Sequence, residues 1–299
     1  MNLWDPSHVN LTADLLTAFL LGLVHGITPD EHTWPITFSY AVGGYSTRRG
    51  LRAGLIFSAA FTVQCALASE LAHLGLSHWF TSDAFDGVIY IVVGIVMATA
   101  GFYVTGSGNL PHLHLPGLDR LTHSHTHSHS QGHLPGPREL KPWMPAVHGF
   151  IAGWGLDAFS AIIYTTLAPA MPSPAIGWLP GLFFGIGTLI VQAAAGAAFG
   201  LWAARRRLPG EAIREIALVT AAKTLSWGGI AFFLFGVFAL AFPHAADFAI
   251  PTPLHIHNLD ELGLPFLLVI FTVLGIGVTT FVSATQAWRR RMLAEESSA

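Results

Sequence analysis

Apolar residues fill seven long stretches of this chain, and short polar segments separate them. The stretches lie near residues 11–27, 51–76, 86–106, 144–170, 176–204, 215–243 and 263–288. Each approaches or exceeds the roughly 20 residues that a membrane-spanning helix needs, and helices satisfy every backbone group within lipid. The pattern therefore predicts about seven transmembrane helices. The shorter stretch 29–44 is too polar to span and predicts a short interrupted helix.

Composition supports an all-α polytopic membrane protein. Hydrophobic residues make up 52% of the 299 residues and charged residues 10%, against roughly 25% charged in an ordinary soluble domain. We divide the chain into a first transmembrane half (1–110), a cytoplasmic His-rich loop (111–142) and a second transmembrane half (143–299). The net charge of −3 favours no particular partner, so the expected partners are the bilayer and a transported ion, with no nucleic acid.

Thirteen of the fourteen Lys and Arg residues fall in four clusters between or after the predicted spans. These are Arg48, Arg49 and Arg52; Arg120, Arg138 and Lys141; Arg205, Arg206, Arg207 and Arg214; and Arg289, Arg290 and Arg291. The alternate connections 77–85, 171–175 and 244–262 contain none. The positive-inside rule places the clusters in the cytoplasm. It predicts a multi-pass protein of the cell (inner) membrane with a cytoplasmic carboxyl terminus and an external amino terminus.

The first span ends in the motif His25-Gly-Ile-Thr-Pro-Asp-Glu-His32. Ionisable side chains at that depth are costly and are usually functional. On an unbroken helix the two histidines would lie about 10 Å apart along the axis, too far to share one metal ion. The sequence predicts a break, because Gly26 suits a helix end and Pro29 disfavours helical geometry at Thr28. Thr28 is then the predicted N-cap of a new helix, with Glu31 closing a capping box. One interpretation of the motif is metal ligation by His25, Asp30, Glu31 and His32. The other is that the two acidic residues complement a helix dipole and that His32 is hydrogen-bonded at the lipid interface.

The second half repeats these ingredients near residue 148. His148-Gly149 precedes Asp157, as a His-Gly pair precedes Asp30 in the first half. The two segments are predicted to run in opposite directions, which is typical of transporters built from inverted repeats with a site between the repeats. We predict that Asp157 and His148 contribute to the metal site, although glycines near them also suit plain helix packing.

Glu70 and His73 stand three residues apart in the second predicted span, so they share one helix face. They are further candidate metal ligands that line an ion path. Pairing with each other at the headgroups is the alternative.

The loop between the third and fourth spans is rich in histidine. Its members are His112, His114, His123, His125, His127, His129 and His133. Pro, Gly and Ser surround them, so the loop should stay disordered without a ligand. Imidazole suits Ni, Co, Cu and Zn. We interpret the loop as a metal buffer, with a solvated spacer as the alternative.

The two motifs resemble those of the nickel/cobalt permeases, relatives of the lysine-exporter superfamily. His25, Asp30 and His32 resemble that family's first motif, and Gly155-Leu156-Asp157 its later Gly-Phe-Asp signature. This chain departs from the uptake members by inserting Glu31 before the second His. The resemblance implies a divalent-cation permease with His25, Asp30 and His32 near the selectivity site.

A second departure is Ala161, where the later signature of the uptake members carries a Glu. The mid-chain His-rich loop and Pro29 resemble the efflux members instead. The resemblance therefore favours export over uptake.

These observations predict a non-enzymatic secondary transporter of Ni²⁺ or Co²⁺, or of Zn²⁺, with no prosthetic group. Metal ligands must be deprotonated, so proton coupling is a natural mechanism. A membrane-embedded metalloenzyme and an exporter of small organic ions are the alternatives. The oligomeric state does not follow from the sequence.

Overall fold

The structure is a computed structural model that describes residues 11–28, 30–105, 138–205, 209–252 and 261–298. Its helices and strands in chain order are α1 (Leu11–Ile27), α2 (Trp34–Gly43), α3 (Thr47–His73), α4 (Ser77–Phe80), α5 (Asp83–Thr105), α6 (Met144–Ala152), α7 (Ala158–Ile162), α8 (Leu179–Ala204), α9 (Gly210–Ala241), α10 (Pro243–Ala246), β1 (Ala249–Pro251), β2 (Glu261–Gly263), α11 (Leu264–Ile270) and α12 (Thr279–Ser298). A π-helix at Ile163–Leu167 follows α7, a 3₁₀ turn at Pro174–Ile176 precedes α8, and a π-helix at Phe271–Val278 joins α11 to α12.

Among the described residues, five helical segments are long and apolar enough to cross a membrane. They are Thr47–His73, Asp83–Thr105, Pro174–Ala204, Gly210–Ala241 and Leu264–Ala294. Two shorter apolar segments accompany them, α1 and Ala158–Leu167. The prediction of an all-α polytopic membrane protein is confirmed. The predicted short interrupted helix corresponds to α2, nine of whose ten residues are buried.

Helices α3 and α8 form the centre of the fold and pack antiparallel through glycine. A Cβ at Gly54 would meet the carbonyl oxygen of Gln192, and one at Gly181 would meet that of Cys65. A Cβ at Gly50, near the start of α3, would meet Gly196 and Gly200 near the end of α8. Small residues allow this close approach of backbones, which is how helices associate without a hydrophobic driving force between them.

The glycine contacts reveal an internal repeat with a constant offset of 127 residues. Gly22 of α1 packs against the backbone of Phe184 on α8, and Gly149 of α6 packs against Phe57 on α3. Each residue of the first contact lies 127 positions from its equivalent in the second. Because α3 and α8 are equivalent and antiparallel, the repeat is inverted, as the sequence predicted.

Charge divides the described molecule into two ends. The end formed by the start of α3, the end of α5, the end of α8 and the start of α9 carries Arg48, Arg49, Arg52, Arg138, Lys141, Arg205 and Arg214. We call it the basic end. The opposite end carries Asp83, Asp86 and Asp247, and its connections 74–85, 168–178 and 242–252 hold no Lys or Arg. We call it the acidic end.

Strands β1 and β2 form an antiparallel pair at the acidic end, with Ala249 opposite Gly263. The sequence analysis predicted only a loop between residues 244 and 262. Strands of three residues carry too little periodicity to be recognised in a sequence.

Candidate functional site

The first break in the fold follows α1. The backbone N–H of Thr28 donates to the carbonyl of Val24 at 3.0 Å, and its hydroxyl donates to the carbonyl of His25 at 3.1 Å. Thr28 therefore closes α1 instead of opening the next helix. The predicted break is confirmed, but the predicted capping box of Thr28 and Glu31 is wrong.

Helix α2 begins five residues later than predicted. Its first residue is Trp34, with Thr33 as N-cap and Pro35 in the first turn. The carbonyl of Asp30 accepts from the N–H groups of both Thr33 and Trp34, so a turn separates the helices. Pro35 suits the start of a helix because it lacks an N–H that would be left unsatisfied there.

The second break lies between α6 and α7, inside one predicted span. Asp157 is the N-cap of α7: its Oδ1 accepts from the N–H of Ser160 at 2.7 Å, and the Ser160 hydroxyl oxygen accepts from the N–H of Asp157 at 3.0 Å. This reciprocal arrangement is a capping box. It stands in the second break, whereas the sequence analysis predicted one in the first.

The two breaks are equivalent under the 127-residue repeat, in a different register from the predicted one. Gly22, Gly26 and Asp30 correspond to Gly149, Gly153 and Asp157, since both series are spaced four residues apart. The predicted match of the two His-Gly pairs is wrong. That match paired His25 with His148, whereas the 127-residue offset pairs His25 with Ala152.

Both breaks deliver ionisable side chains to one buried region. Nδ1 of His25 lies 2.6 Å from Oδ2 of Asp157, joining the two halves of the chain. The two atoms are close but are not aligned as hydrogen-bond donor and acceptor. One ligand atom from each of His25, Asp30 and Asp157 lies within 4.8 Å of the others.

A second group shares Asp30 and adds its neighbours. Ligand atoms of Asp30, Glu31 and His32 also lie within 4.8 Å of one another. Nδ1 of His32 is 3.8 Å from Asp30 and 3.7 Å from Glu31. We call His25, Asp30, Glu31, His32 and Asp157 the polar cluster. The structure thus brings together five of the eight metal-ligand candidates in the membrane-spanning part.

Several atoms of the polar cluster lack a hydrogen-bond partner in the described part of the chain. They are Nδ1 and Nε2 of His25, Nε2 of His32 and Oδ2 of Asp30. An unsatisfied buried polar atom costs about 1–3 kcal/mol. Four such atoms in one small region indicate a place where a bound species completes the interactions.

The ligand atoms suit a cation with nitrogen and oxygen ligands. Two ligands at about 2.1 Å from one metal ion are at most about 4.2 Å apart, which is close to the 4.8 Å within which the ligand atoms of each group lie. The metal-ligand assignment of the cluster residues stays a prediction.

The surroundings of the polar cluster are aromatic and tightly packed. The His25 ring stacks on Phe61 with centroids 5.6 Å apart and contacts Phe184 at 5.1 Å. Nε2 of Gln192 donates to the carbonyl of Gly26 and to the hydroxyl of Thr33, both at 3.3 Å. This amide therefore ties the two sides of the first break to α8.

Tyr90 and Asp86 of α5 belong to the site, and the sequence analysis missed both. The Tyr90 hydroxyl donates to Oε1 of Glu31 at 2.7 Å, and its ring lies 4.6 Å from that of His32. Oδ1 of Asp86 accepts from the N–H of Leu156 at 3.1 Å. An acidic residue at the edge of an apolar run was the available signal for Asp86.

The remaining candidates lie outside the polar cluster. The buried His148 bonds through Nδ1 to the Tyr40 hydroxyl at 2.9 Å. His73 bonds through Nδ1 to the carbonyl of Ala168 at 3.1 Å, and a Cβ at Gly177 would meet both it and Glu70. Their predicted role as metal ligands stays a prediction. The seven loop histidines lie outside the described residues.

Comparison with known families gives one match. The family described as the cytochrome C biogenesis protein transmembrane region matches residues 59–224, more than half of the chain. The chain belongs to this family. Neither curated proteins nor solved structures give a match.

This membership overturns the predicted relationship to the nickel/cobalt permeases, and the predicted function that rested on it is wrong. The resemblance depended on a few His and Asp residues around two helix breaks. Chemically similar clusters arise on unrelated scaffolds because fold and site chemistry are separable. The family match extends over α5, α6, α7 and α8 and into α3 and α9, so it rests on far more of the chain.

Proposed function

We propose that this membrane protein takes part in cytochrome c biogenesis, a role that the family match to residues 59–224 supports. Within that role, we propose that the polar cluster, where the two broken helices meet, binds a cation. The contact between His25 and Asp157 carries the proposal of this site. It joins the inverted halves at 2.6 Å, in a region where four polar atoms of the described chain lack hydrogen-bond partners. Inverted-repeat transporters place substrate and coupling ions at such an interface, between discontinuous helices.

Dithiol–disulfide exchange cannot take place within this chain alone. Transfer of electrons between a dithiol and a disulfide requires two thiols, and the chain contains one cysteine, Cys65. Cys65 is fully buried on α3. The polar cluster of this chain therefore consists of nitrogen and oxygen donors, and the chain has no pair of thiols.

Orientation follows from charge. We place the basic end in the cytoplasm of the cell (inner) membrane, because Lys and Arg are retained on that side. The acidic end then faces outwards. In this proposed orientation the polar cluster lies between the cytoplasm, at the basic end, and the outside, at the acidic end.

A binding experiment tests the proposed site. The purified protein in detergent is titrated with Mn²⁺, which serves only as the probe, and calorimetry records the heat of binding. We expect saturable binding by the parent and loss of most of it with Asp30→Asn. The control is His78→Gln, an exposed histidine whose Nδ1 bonds only locally to Gly75. Equal binding by parent and Asp30→Asn, at equal protein content, would remove the proposed site.

The proposed part in cytochrome c biogenesis, which rests on the match to residues 59–224, has its own test. The test is the amount of haem-bearing c-type cytochrome in cells without this protein. A loss that Cys65→Ala protein restores would assign a role independent of its thiol. Unchanged cytochrome levels would exclude this function.

A further inference from the structure

A cavity of about 150 Å³ opens at the acidic end. Three carboxylates line it, those of Asp83, Asp86 and Asp247, and no basic side chain occurs among the described lining residues. Its wall includes Tyr90 and Leu156. Clefts lined by one sign of charge raise the local concentration of the opposite ion. The cavity therefore favours cations.

The floor of this cavity contacts both broken helices. Tyr90 donates its hydroxyl to Glu31 and packs its ring on His32, in the first break. Asp86 accepts from the N–H of Leu156, the residue directly before Asp157 in the second break. One layer of side chains thus separates the cavity from the polar cluster, where Nε2 of the buried His32 lacks a partner among the described residues.

The basic end has a different cavity, of about 300 Å³. Arg49, Arg52 and Lys141 line it, together with one carboxylate, Glu139, which Arg214 holds at 3.2 Å. Its inner wall includes Tyr40, which bonds to His148 outside the polar cluster. This cavity has neither the charge to attract a cation nor a described contact with the cluster.

The internal repeat shows that the acidic cavity is not duplicated. Counting 127 residues from Asp86 and Tyr90 leads to Ile213 and Ala217 on α9. The second half thus lacks both the carboxylate and the hydroxyl at the corresponding positions. The two polar residues at the cavity floor are a feature of one half only.

We propose that the acidic-end cavity is the port through which a cation reaches the polar cluster, with Asp86 as its first ligand and Tyr90 as its gate. The inference rests on the proposed function. Asp83 and Asp247 attract the ion, and Asp86 binds it at the floor. Rotation of the Tyr90 ring then frees Oε1 of Glu31, which becomes available to the ion as it enters.

Thiol labelling tests the port without any assumption about the cargo. Ala246→Cys places a thiol in the acidic cavity and Ala53→Cys places one in the basic cavity, while the native Cys65 is fully buried. At Ala246→Cys we expect a cationic methanethiosulfonate to react about tenfold faster, relative to its reaction with a free thiol, than an anionic one. Adding Asp83→Asn and Asp247→Asn should weaken the preference, because Asp86 is then the one remaining carboxylate among the described lining residues.

The comparison at Ala53→Cys should give the opposite preference. Equal rates of the two reagents at Ala246→Cys, or a preference that the neutral substitutions leave unchanged, would overturn the port. Neither result depends on cation binding at the polar cluster, so neither bears on the proposed function.

Cation kinetics test the gate and the first ligand in the full-length protein. With Mn²⁺ alone as probe, Asp86→Asn should slow association about tenfold at low salt, with a smaller change in equilibrium affinity. Tyr90→Phe keeps the ring and removes the bond to Glu31, so association should accelerate. The control is Glu139→Gln, which removes a carboxylate from the other cavity. Association at the parent rate in Asp86→Asn would sink the port, whereas failure of the parent to bind Mn²⁺ would remove the proposed site with it.

Discussion

The two broken helices share one backbone plan and differ in their chemistry. Each has two glycines and an aspartate spaced four residues apart, and each packs its glycine on the long helix of the other half. The first break adds His25, Glu31 and His32, whereas the equivalent positions of the second are Ala152, Ala158 and Phe159. The repeated backbone therefore sets the positions of the two aspartates, and the first half alone supplies the other donors of the polar cluster.

The two aspartates also differ in their bonding. Asp157 caps α7 and contacts His25. Oδ2 of Asp30 has no hydrogen-bond partner among the described residues. Asp157 thus stabilises the start of α7, whereas Oδ2 of Asp30 is available to a ligand.

Substitution of the equivalent glycines should have the largest effect. Gly22→Val and Gly149→Val each push a side chain into a backbone carbonyl, of Phe184 and Phe57 respectively. We expect each to lower the free energy of unfolding by about 3 kcal/mol or more, measured by thermal denaturation in detergent. The control is Gly210→Ala, which has nothing within 4 Å. A severe effect at only one of the two glycines would break the proposed equivalence.

Substitution of the two aspartates should separate binding from folding. Asp30→Asn and Asp157→Asn should each weaken Mn²⁺ binding about 100-fold, equal to about 2.7 kcal/mol, because each removes a charged donor. Asp157→Ala should also destabilise the fold by about 1 kcal/mol through loss of the cap. Calorimetric titration and denaturation check the two effects. Equal destabilisation by Asp30→Ala and Asp157→Ala would contradict the division of roles.

Removal of the reciprocal cap should have a smaller effect. Ser160→Ala leaves Asp157 in place but deletes the hydroxyl that accepts from its N–H. We expect a loss of about 1 kcal/mol in unfolding free energy. Thr165→Ala is the control, because its exposed hydroxyl bonds only within its own helix. If both variants melt alike, the capping box contributes nothing particular to the second break.

Removal of the single thiol should have the smallest effect. Cys65→Ala should leave the Mn²⁺ affinity within about twofold of the parent, since truncation of one small buried side chain costs about 1 kcal/mol at most sites. Calorimetric titration measures it. Loss of binding in correctly folded Cys65→Ala protein would show that the thiol takes part in cation binding.

Much of this architecture was predictable from the sequence. The long apolar stretches gave the spans because lipid leaves few alternatives to a helix. The break near the end of α1 could be predicted because a proline disfavours helical geometry at the residue before it and a glycine suits a helix end. Pro29 and Gly26 are those residues. The position where α2 begins did not follow, because it depends on a turn organised by the carbonyl of Asp30 and on a second proline, Pro35.

The candidate site was predictable only in part. Depth in the membrane singled out His25, Asp30 and Asp157, since charge is costly there. Tyr90 and Asp86 were missed because their role depends on the approach of α5 to both breaks, which is a tertiary contact. The predicted family was wrong because it rested on three or four metal-donor residues. Such residues indicate what a site can bind, and they do not establish common descent.

The crossed packing of the broken helices has a consequence for how this molecule moves. α1 is near α3 in the sequence but packs against α8, and α6 packs against α3. Each half of the polypeptide therefore places one broken helix against the long helix of the other half. Any rigid-body motion that keeps these contacts moves mixed pairs, α1 with α8 and α6 with α3, and cutting the chain between its halves should leave the two pieces packed together.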